Sequence, residues 1–475
     1  MEFDIVGRES ELKHLKTLFE ANESHFLVVY GRRRVGKTFL VRETFKKELT
    51  FYFTGLSNAS TAFQLKNFNA ALGNSYKSKT TVPQAKDWFS AFQQLVAFLE
   101  KSRARKKVIF IDEMPWLDTP KSNFLSALEH FWNSWASARK DILLITCGSA
   151  ASWMVNKLIN NNGGLHNRVT SKMKILPFTL KETELFFANK QAKYSRYQLV
   201  EAYMTTGGIP FYLSNFKLEL SIAQNIDRLF FEETGLLHNE INNLYRSLFK
   251  NATPHEEIVK ALSTKSMGLT RDEIIKITKL SNGGGTSKAL SELIESGFIR
   301  KYTPFGKMNR ESIYQLLDFY TLIYYKFLYL KSISQKNYWL TLQNSPQYHA
   351  WSGYAFELVC LVHLNAIKEA LGIAGINCEV YSWRSKNSEK GVQIDLVIDR
   401  KDGVINLCEM KFSKSAFEIT ANYEQELIKK MEVFAQETNT KKALFLTLIA
   451  TYDLTKASKT KGLVQRAITL DDIFS

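Results

Sequence analysis

Phe26-Leu27-Val28-Val29-Tyr30-Gly31-Arg32-Arg33-Arg34-Val35-Gly36-Lys37-Thr38 is the stretch whose reading decides the N-terminal fold. Its consecutive apolar residues suit a strand buried on both faces of a parallel sheet. The spacing Gly-x-x-x-x-Gly-Lys-Thr then lets backbone N–H groups wrap phosphate oxygens. A helix opening at Phe39-Leu40-Val41-Arg42-Glu43 adds the positive end of its dipole. The pattern predicts a phosphate loop made by Gly31, Arg32, Arg33, Arg34, Val35, Gly36, Lys37 and Thr38, with ATP and Mg²⁺ as its ligands. Lys37 is expected to reach the β- and γ-phosphates as a catalytic group, and the Thr38 hydroxyl to ligate the metal.

Working outward, Val108-Ile109-Phe110-Ile111-Asp112-Glu113 is a second apolar strand, delivering two carboxylates at the end where open α/β sheets bind ligands. Asp112 is expected in the Mg²⁺ shell and Glu113 is expected to polarise the attacking water. Ile142-Leu143-Leu144-Ile145-Thr146 reads as a further buried strand. These runs alternate with amphipathic helices, so residues 1–180 are expected to form an α/β parallel-sheet ATPase core. Helical periodicity dominates 181–250. Residues 251–330 read as a small helical module with a β-ribbon, closed by a long aromatic helix from Leu316 to Lys331. The segment 331–345 is the best linker candidate, and 346–475 starts a second α/β pattern. The fold class expected is therefore α/β multidomain.

The bulk properties narrow the partners. A chain of 475 residues exceeds one ordinary core, and 45% hydrophobic with 23% charged residues describes a globular protein. No apolar run reaches the roughly 18 residues that a membrane span needs. The start Met1-Glu2-Phe3-Asp4 lacks the layout of a signal peptide, so a cytoplasmic location without membrane is expected. Cys147, Cys360, Cys378 and Cys408 lie far apart, which speaks against zinc sites and disulfide frameworks. A formal charge of +16 attracts polyanions and points to nucleic acid as partner, DNA first.

The C-terminal segment carries a second constellation. Gln393-Ile394-Asp395-Leu396-Val397-Ile398 and Val404-Ile405-Asn406-Leu407-Cys408-Glu409-Met410-Lys411-Phe412 read as a hairpin with its turn at Asp402-Gly403. Antiparallel pairing can bring Asp395 and Glu409 to one end of the sheet, while Glu409 and Lys411 share a face by alternation. Glu357, on the helix Tyr354-Ala355-Phe356-Glu357-Leu358-Val359, adds a third carboxylate. Clustered carboxylates repel one another unless a cation joins them, so Glu357, Asp395 and Glu409 are expected to hold Mg²⁺ or Mn²⁺. Lys411 would then orient or deprotonate a water attacking a phosphodiester. Glu-x-Lys alone decides nothing, since it recurs at Glu11 and Lys13 without a strand carboxylate beside it.

These motifs carry resemblances. Val6-Gly7-Arg8-Glu9-Ser10-Glu11-Leu12 and Tyr30-Gly31-Arg32-Arg33-Arg34-Val35-Gly36-Lys37-Thr38 resemble the opening and the arginine-rich phosphate loop of archaeal-type P-loop ATPases related to AAA+ and STAND proteins. That resemblance implies a helical lid over 181–250, with Pro210 of Gly208-Ile209-Pro210 contacting nucleotide. It also implies Ser149 as a polar sensor, a phosphate-sensing or finger-like role for Arg168, with a surface arginine as the alternative, and a nucleotide-edge contact for Arg8. It leaves open a ring-forming homo-oligomer, a monomer or a protein partner. Leu269–Ile275, the Gly283-Gly284-Gly285 turn and Thr286–Ile299 are similar to the helices of a winged-helix module, with wing strands at Arg300-Lys301-Tyr302 and Ser312–Leu317. Glu357, Asp395, Glu409 and Lys411 resemble the PD-(D/E)xK nuclease pattern, which implies a restriction-endonuclease-like α/β domain over 346–475. The function expected is a nucleic-acid-directed ATPase gating a metal-dependent nuclease. The alternative is a nucleotide-dependent signalling, scaffold or transcription-regulating protein whose C-terminal domain does not cut.

Overall fold

A computed structural model of the chain describes residues 5–76, 82–160, 163–165, 167–329, 337–385, 391–460 and 462–475. They fall into two units, Met1–Pro177 and Phe178–Ser475. Among the described residues no helix is long and apolar enough to cross a membrane.

The first unit is built on five parallel strands: β1 (His25–Tyr30), β2 (Leu49–Thr54), β3 (Lys107–Asp112), β4 (Ile142–Gly148) and β5 (Ser171–Lys174), in the order β2-β3-β4-β1-β5. Every residue of β3 and β4 is buried, which is why these segments read as unbroken apolar runs rather than alternating ones. The helices Thr61–Ser75 and Trp88–Lys101 help to cover the sheet. Their apolar stripes join Phe26, Phe53, Phe68, Trp88, Phe92 and Trp132 in one core. Because β4 lies between β1 and β3, the end of β4 stands beside both the phosphate-loop strand and the strand bearing Asp112. Sequence order alone does not reveal that juxtaposition.

The second unit begins with helices over Leu180–Asn189, Arg196–Thr206, Pro210–Ser214 and Ile222–Ile226. The region expected as a helical lid, 181–250, packs with the C-terminal half, which the lid reading does not anticipate. Tyr348 donates to Glu201 at 2.8 Å, and His363 Nε2 accepts the Leu180 N–H at 2.9 Å, both long-range bonds that apolar periodicity does not signal. The linker expected at 331–345 also differs. Residues 331–336 lie outside the described residues, but Tyr338–Leu342 is a helix with Tyr338, Trp339 and Leu342 buried. Its free N–H groups at Trp339 and Leu340 are capped from afar by the Asp227 carboxylate, at 2.6 and 3.3 Å. The aromatic helix starts at Phe319 rather than Leu316, because Leu316 ends a strand and Asp318 caps the helix by accepting from Thr321 N–H.

Two further sheets follow. Strands β6 (Leu269–Thr270), β7 (Ile299–Tyr302) and β8 (Ile313–Leu316) run antiparallel in the order β6-β8-β7. They are accompanied by the helices Thr253–Ser263, Arg271–Thr278 and Gly284–Glu295. Thr270 and Glu273 form a reciprocal cap at the start of the second helix. The C-terminal sheet contains β9 (Cys378–Arg384), β10 (Gln393–Arg400), β11 (Val404–Lys411), β12 (Ala443–Ala450) and β13 (Arg466–Ile468), in the order β13-β12-β11-β10-β9. The three strands β9, β10 and β11 pair antiparallel, whereas β12 runs parallel to β11 and to β13. The helix Ala421–Thr438 lays Leu427 and Phe434 on one face of this sheet, and Pro346–Val362 also packs against the unit's interior. Edge strand β9 is met by the turn after β7: Phe305 N–H donates to Ser382 O at 3.0 Å, and the Phe305 ring lies 5.2 Å from those of Tyr381 and Phe434.

Candidate functional site

The phosphate loop turns sharply out of β1. Gly31 has φ 141°, and a Cβ there would stand 2.3 Å from Ile175 O, so only glycine fits. Gly36 ends the loop at φ 88° and the helix Lys37–Thr44 begins on it. Lys37 is 5% exposed, and its ammonium donates to Gly31 O at 3.0 Å and Arg32 O at 2.7 Å. Burial lowers its pKa, with the charges of Glu113 and Asp112 opposing that shift. The ammonium is thus held over the mouth of the loop by the loop's own carbonyls.

The carboxylates of β3 are ordered around it. Thr38 Oγ1 donates to Asp112 Oδ2 at 2.7 Å, and Asp112 Oδ1 accepts from Glu113 N–H at 2.9 Å. This hydroxyl–carboxylate pair is an all-oxygen set of the kind a hard divalent cation takes, so Thr38 and Asp112 fit Mg²⁺. Glu113 sits in the left-handed region at φ 46°, an unusual position for a non-glycine residue and one often tied to function. Its Oε1 accepts from Ser149 Oγ at 2.8 Å and its Oε2 from Ser149 N–H at 3.4 Å. Ser149, expected as a nucleotide sensor, here restrains Glu113. Arg8 is 6% exposed and donates to Leu176 O at 2.7 Å and to Val35 O at 3.4 Å, so it braces the loop's backbone where a nucleotide-edge contact was expected. Arg168 is exposed, and Pro210 opens a short helix of the second unit behind Gly208 at φ 66°.

The C-terminal carboxylates converge at one place. The pairing Leu396↔Cys408 sets Asp395 beside the Glu409–Met410 peptide, and Asp395 Oδ2 accepts the Met410 N–H at 3.1 Å. The register of β10 against β9 slips between Ile394 and Val397, a bulge that contains Asp395 and Leu396. Glu409 is 2% exposed; its Oε2 accepts from Lys430 Nζ at 2.7 Å and Tyr423 Oη at 3.4 Å, while its Oε1 is buried without a hydrogen-bond partner. Burial, then the charge of Asp395, pushes Glu409 up to about 7 and Glu357 up to about 8; burial raises Asp395 too. Lys411 Nζ rests 4.8 Å from the centre of the Tyr423 ring.

Among the described residues no three acidic, histidine or cysteine side chains stand ready to hold a metal ion. Glu357, Asp395 and Glu409 share a field without forming a preassembled ligand set, because the Lys430 ammonium and the Met410 amide occupy carboxylate oxygens. The orphaned Glu409 Oε1 and the all-carboxylate donor set nonetheless fit a divalent cation. Lys430 and Tyr423 were not anticipated. Their signal lies in the spacing Tyr423, Leu427, Lys430, Phe434, which places a lysine in an otherwise apolar helix stripe.

Residues 5–216 match the family described as an ATPase domain predominantly from Archaea. The matched segment contains the phosphate loop, Asp112, Glu113 and Ser149. Over 374 residues the chain is 28% identical to an uncharacterized protein of Methanocaldococcus jannaschii, covering 77% of this chain and 79% of that one. A shorter similarity, 42% identity over 38 residues, links 8% of this chain to 64% of an uncharacterized ATP-binding protein of the same organism. Among solved structures, the Walker-type ATPase PABY2304 of Pyrococcus abyssi is similar in fold, with a TM-score of 0.53 at 16% identity over 68% of this chain and 96% of that one.

Proposed function

We propose that the ATPase domain hydrolyses ATP and that this hydrolysis controls a phosphodiester-cleaving centre within residues 346–475, acting on nucleic acid, DNA in the first instance. The observation that carries the second half is Glu409. Its Oε1 is buried without a partner, beside two further carboxylates whose ionisation burial already disfavours. Such concentrated, desolvated negative charge is costly unless a cation or a proton enters it.

At the phosphate loop, Lys37 exchanges the Gly31 and Arg32 carbonyls for β- and γ-phosphate oxygens when ATP binds. Thr38 and Asp112 would hold Mg²⁺, which would supply charge neutralisation at the phosphates. Glu113 leaves Ser149 and orients the attacking water. In the C-terminal centre Asp395, Glu409 and Glu357 would hold Mg²⁺ or Mn²⁺, which would supply Lewis acidity. Lys411 leaves the Tyr423 ring and its ammonium orients the attacking water. Lys430 yields Glu409 Oε2, and its ammonium becomes free to face the phosphodiester.

The test is cleavage of labelled single- and double-stranded DNA and RNA with Mg²⁺ or Mn²⁺, with and without ATP, comparing wild type with Lys411→Ala and Lys37→Ala. Cleavage lost in the first variant supports the centre, and loss of ATP dependence in the second supports its control. A second reading, a nucleotide-dependent scaffold, is favoured by the Lys430–Glu409 ion pair, which already supplies a cation. Under that reading no variant cleaves, while ATP turnover persists and nucleic-acid or protein binding responds to nucleotide. The charge of +16 and the helix Gly284–Glu295, similar to a winged-helix recognition helix, support nucleic acid as the partner.

A further inference from the structure

The 253–316 module sets one basic side chain near Tyr354, on the helix that carries Glu357. Arg300 lies on β7 directly opposite Gln315 of β8, and its Nε donates to Gln315 Oε1 at 2.7 Å. The guanidinium sits over the Tyr302 ring, 4.4 Å from its centre. Gln315 Nε2 in turn reaches Tyr354 Oη at 3.4 Å, and Tyr354 is one helical turn from Glu357 on the same helix face. Among the described residues no carboxylate pairs with Arg300, and no acceptor takes its two terminal nitrogens. Burial is sufficient to disfavour its charge, with only the nearby tyrosines Tyr302 and Tyr354 opposing that effect.

A half-buried guanidinium without a counter-charge is expensive to keep for structure alone, because desolvation is uncompensated. Its fork geometry matches phosphate oxygens bidentately. The seating of Phe305 on β9 fixes this module against the C-terminal sheet, so Arg300 is held in place rather than carried on a loose domain. The exposed side chains of the Gly284–Glu295 helix are small or basic (Ser287, Lys288, Ser291), whereas Glu292 is turned inward onto His255 at 2.8 Å.

We propose that Arg300, oriented by Gln315 and stacked on Tyr302, is a phosphodiester-binding residue that the 253–316 module lends to the C-terminal centre, gripping a nucleic-acid backbone phosphate next to Glu357. The inference rests on the nucleic-acid reading of that centre, but it does not require the centre to cut.

The experiment measures binding of short fluorescein-labelled single-stranded and duplex DNA to the full chain by anisotropy, in EDTA and without ATP, across a salt series. Arg300→Gln is expected to weaken binding on the order of tenfold. It should also make the dependence of log K on log salt shallower by about 0.9 for duplex or about 0.7 for single strands, the loss of one phosphate contact. Arg300→Lys keeps the charge, so it should retain the slope while losing part of the affinity. The same variants are melted without DNA. Removing an uncompensated cation should leave the midpoint unchanged or raised, whereas a structural arginine would lower it. An unchanged salt slope in Arg300→Gln overturns the proposal, as does a lowered midpoint that accounts for the lost binding. Failure of wild type to bind either DNA also overturns it. A chain that binds through Arg300 in EDTA but never cleaves with metal leaves this inference standing and removes only the nuclease reading.

Discussion

Acidification should loosen the second unit through His363. This side chain is 5% exposed; its Nε2 accepts from Leu180 N–H at 2.9 Å and its Nδ1 donates to Val359 O at 2.8 Å. Only the neutral Nδ1–H tautomer satisfies both bonds, because a proton on Nε2 would face another N–H. Burial accordingly lowers its pKa from 6.5 to about 4. With the folded value below the unfolded one, the unfolded chain binds more protons between those limits, so stability falls as pH drops from about 6.5 to about 4. At about 1.36 kcal/mol for each pH unit, the full loss is about 3 kcal/mol. The assay is denaturant unfolding followed by hydrogen exchange of the Leu180 amide at several pH values, for wild type and His363→Gln. Glutamine keeps an acceptor but cannot titrate, so the variant should be about 1 kcal/mol less stable near neutrality and lose the slope in this window. An equal slope in both proteins would refute the argument and assign the acid sensitivity elsewhere.

Three other outcomes are expected. Lys37→Ala should abolish ATP binding, while Glu113→Gln should retain binding yet slow turnover by about a hundredfold or more, both read by nucleotide affinity and phosphate release. Glu409→Gln should stabilise the metal-free protein at about pH 8 by about 1–3 kcal/mol, since ionising a carboxylate raised to about 7 costs the folded state there, and it should erase any midpoint gain from Mg²⁺. Lys430, 22% exposed, can turn to water in that variant; destabilisation instead would mark the pair as structural. Asp227→Ala should cost about 1–3 kcal/mol by leaving the Trp339 and Leu340 amides unbonded, measured as exchange protection over residues 338–342.

How far the chain could be read before folding depended on the range of the interactions. The phosphate loop and the β3 carboxylates were legible because glycine spacing and apolar runs are local chemistry, and β1, β3 and β4 lie where those runs predict them. The hairpin holding Asp395 and Glu409 was legible for the same reason, since strand period and a Gly403 turn set its register. The restraint of Glu113 by Ser149 was not, because it arises from sheet order. Nor was the burial of Tyr338–Leu342: polar residues around it imitate a linker, and its cap comes from Asp227, far away in sequence. Lys430 and Arg300 were hidden because a lone basic residue carries meaning only through what folding sets beside it.

The seating of Phe305 on β9 has a bearing on how the C-terminal sheet can be isolated. Strand β9 is the terminal strand of its sheet, and Tyr381 and Trp383 on it belong to an apolar cluster shared with Phe305 and Phe434. A fragment cut at residue 346 would open that edge and uncover those rings, a template for strand-to-strand association. Retaining residues from about 253 onward keeps the edge shielded, so the natural unit of solubility is wider than the unit of chemistry.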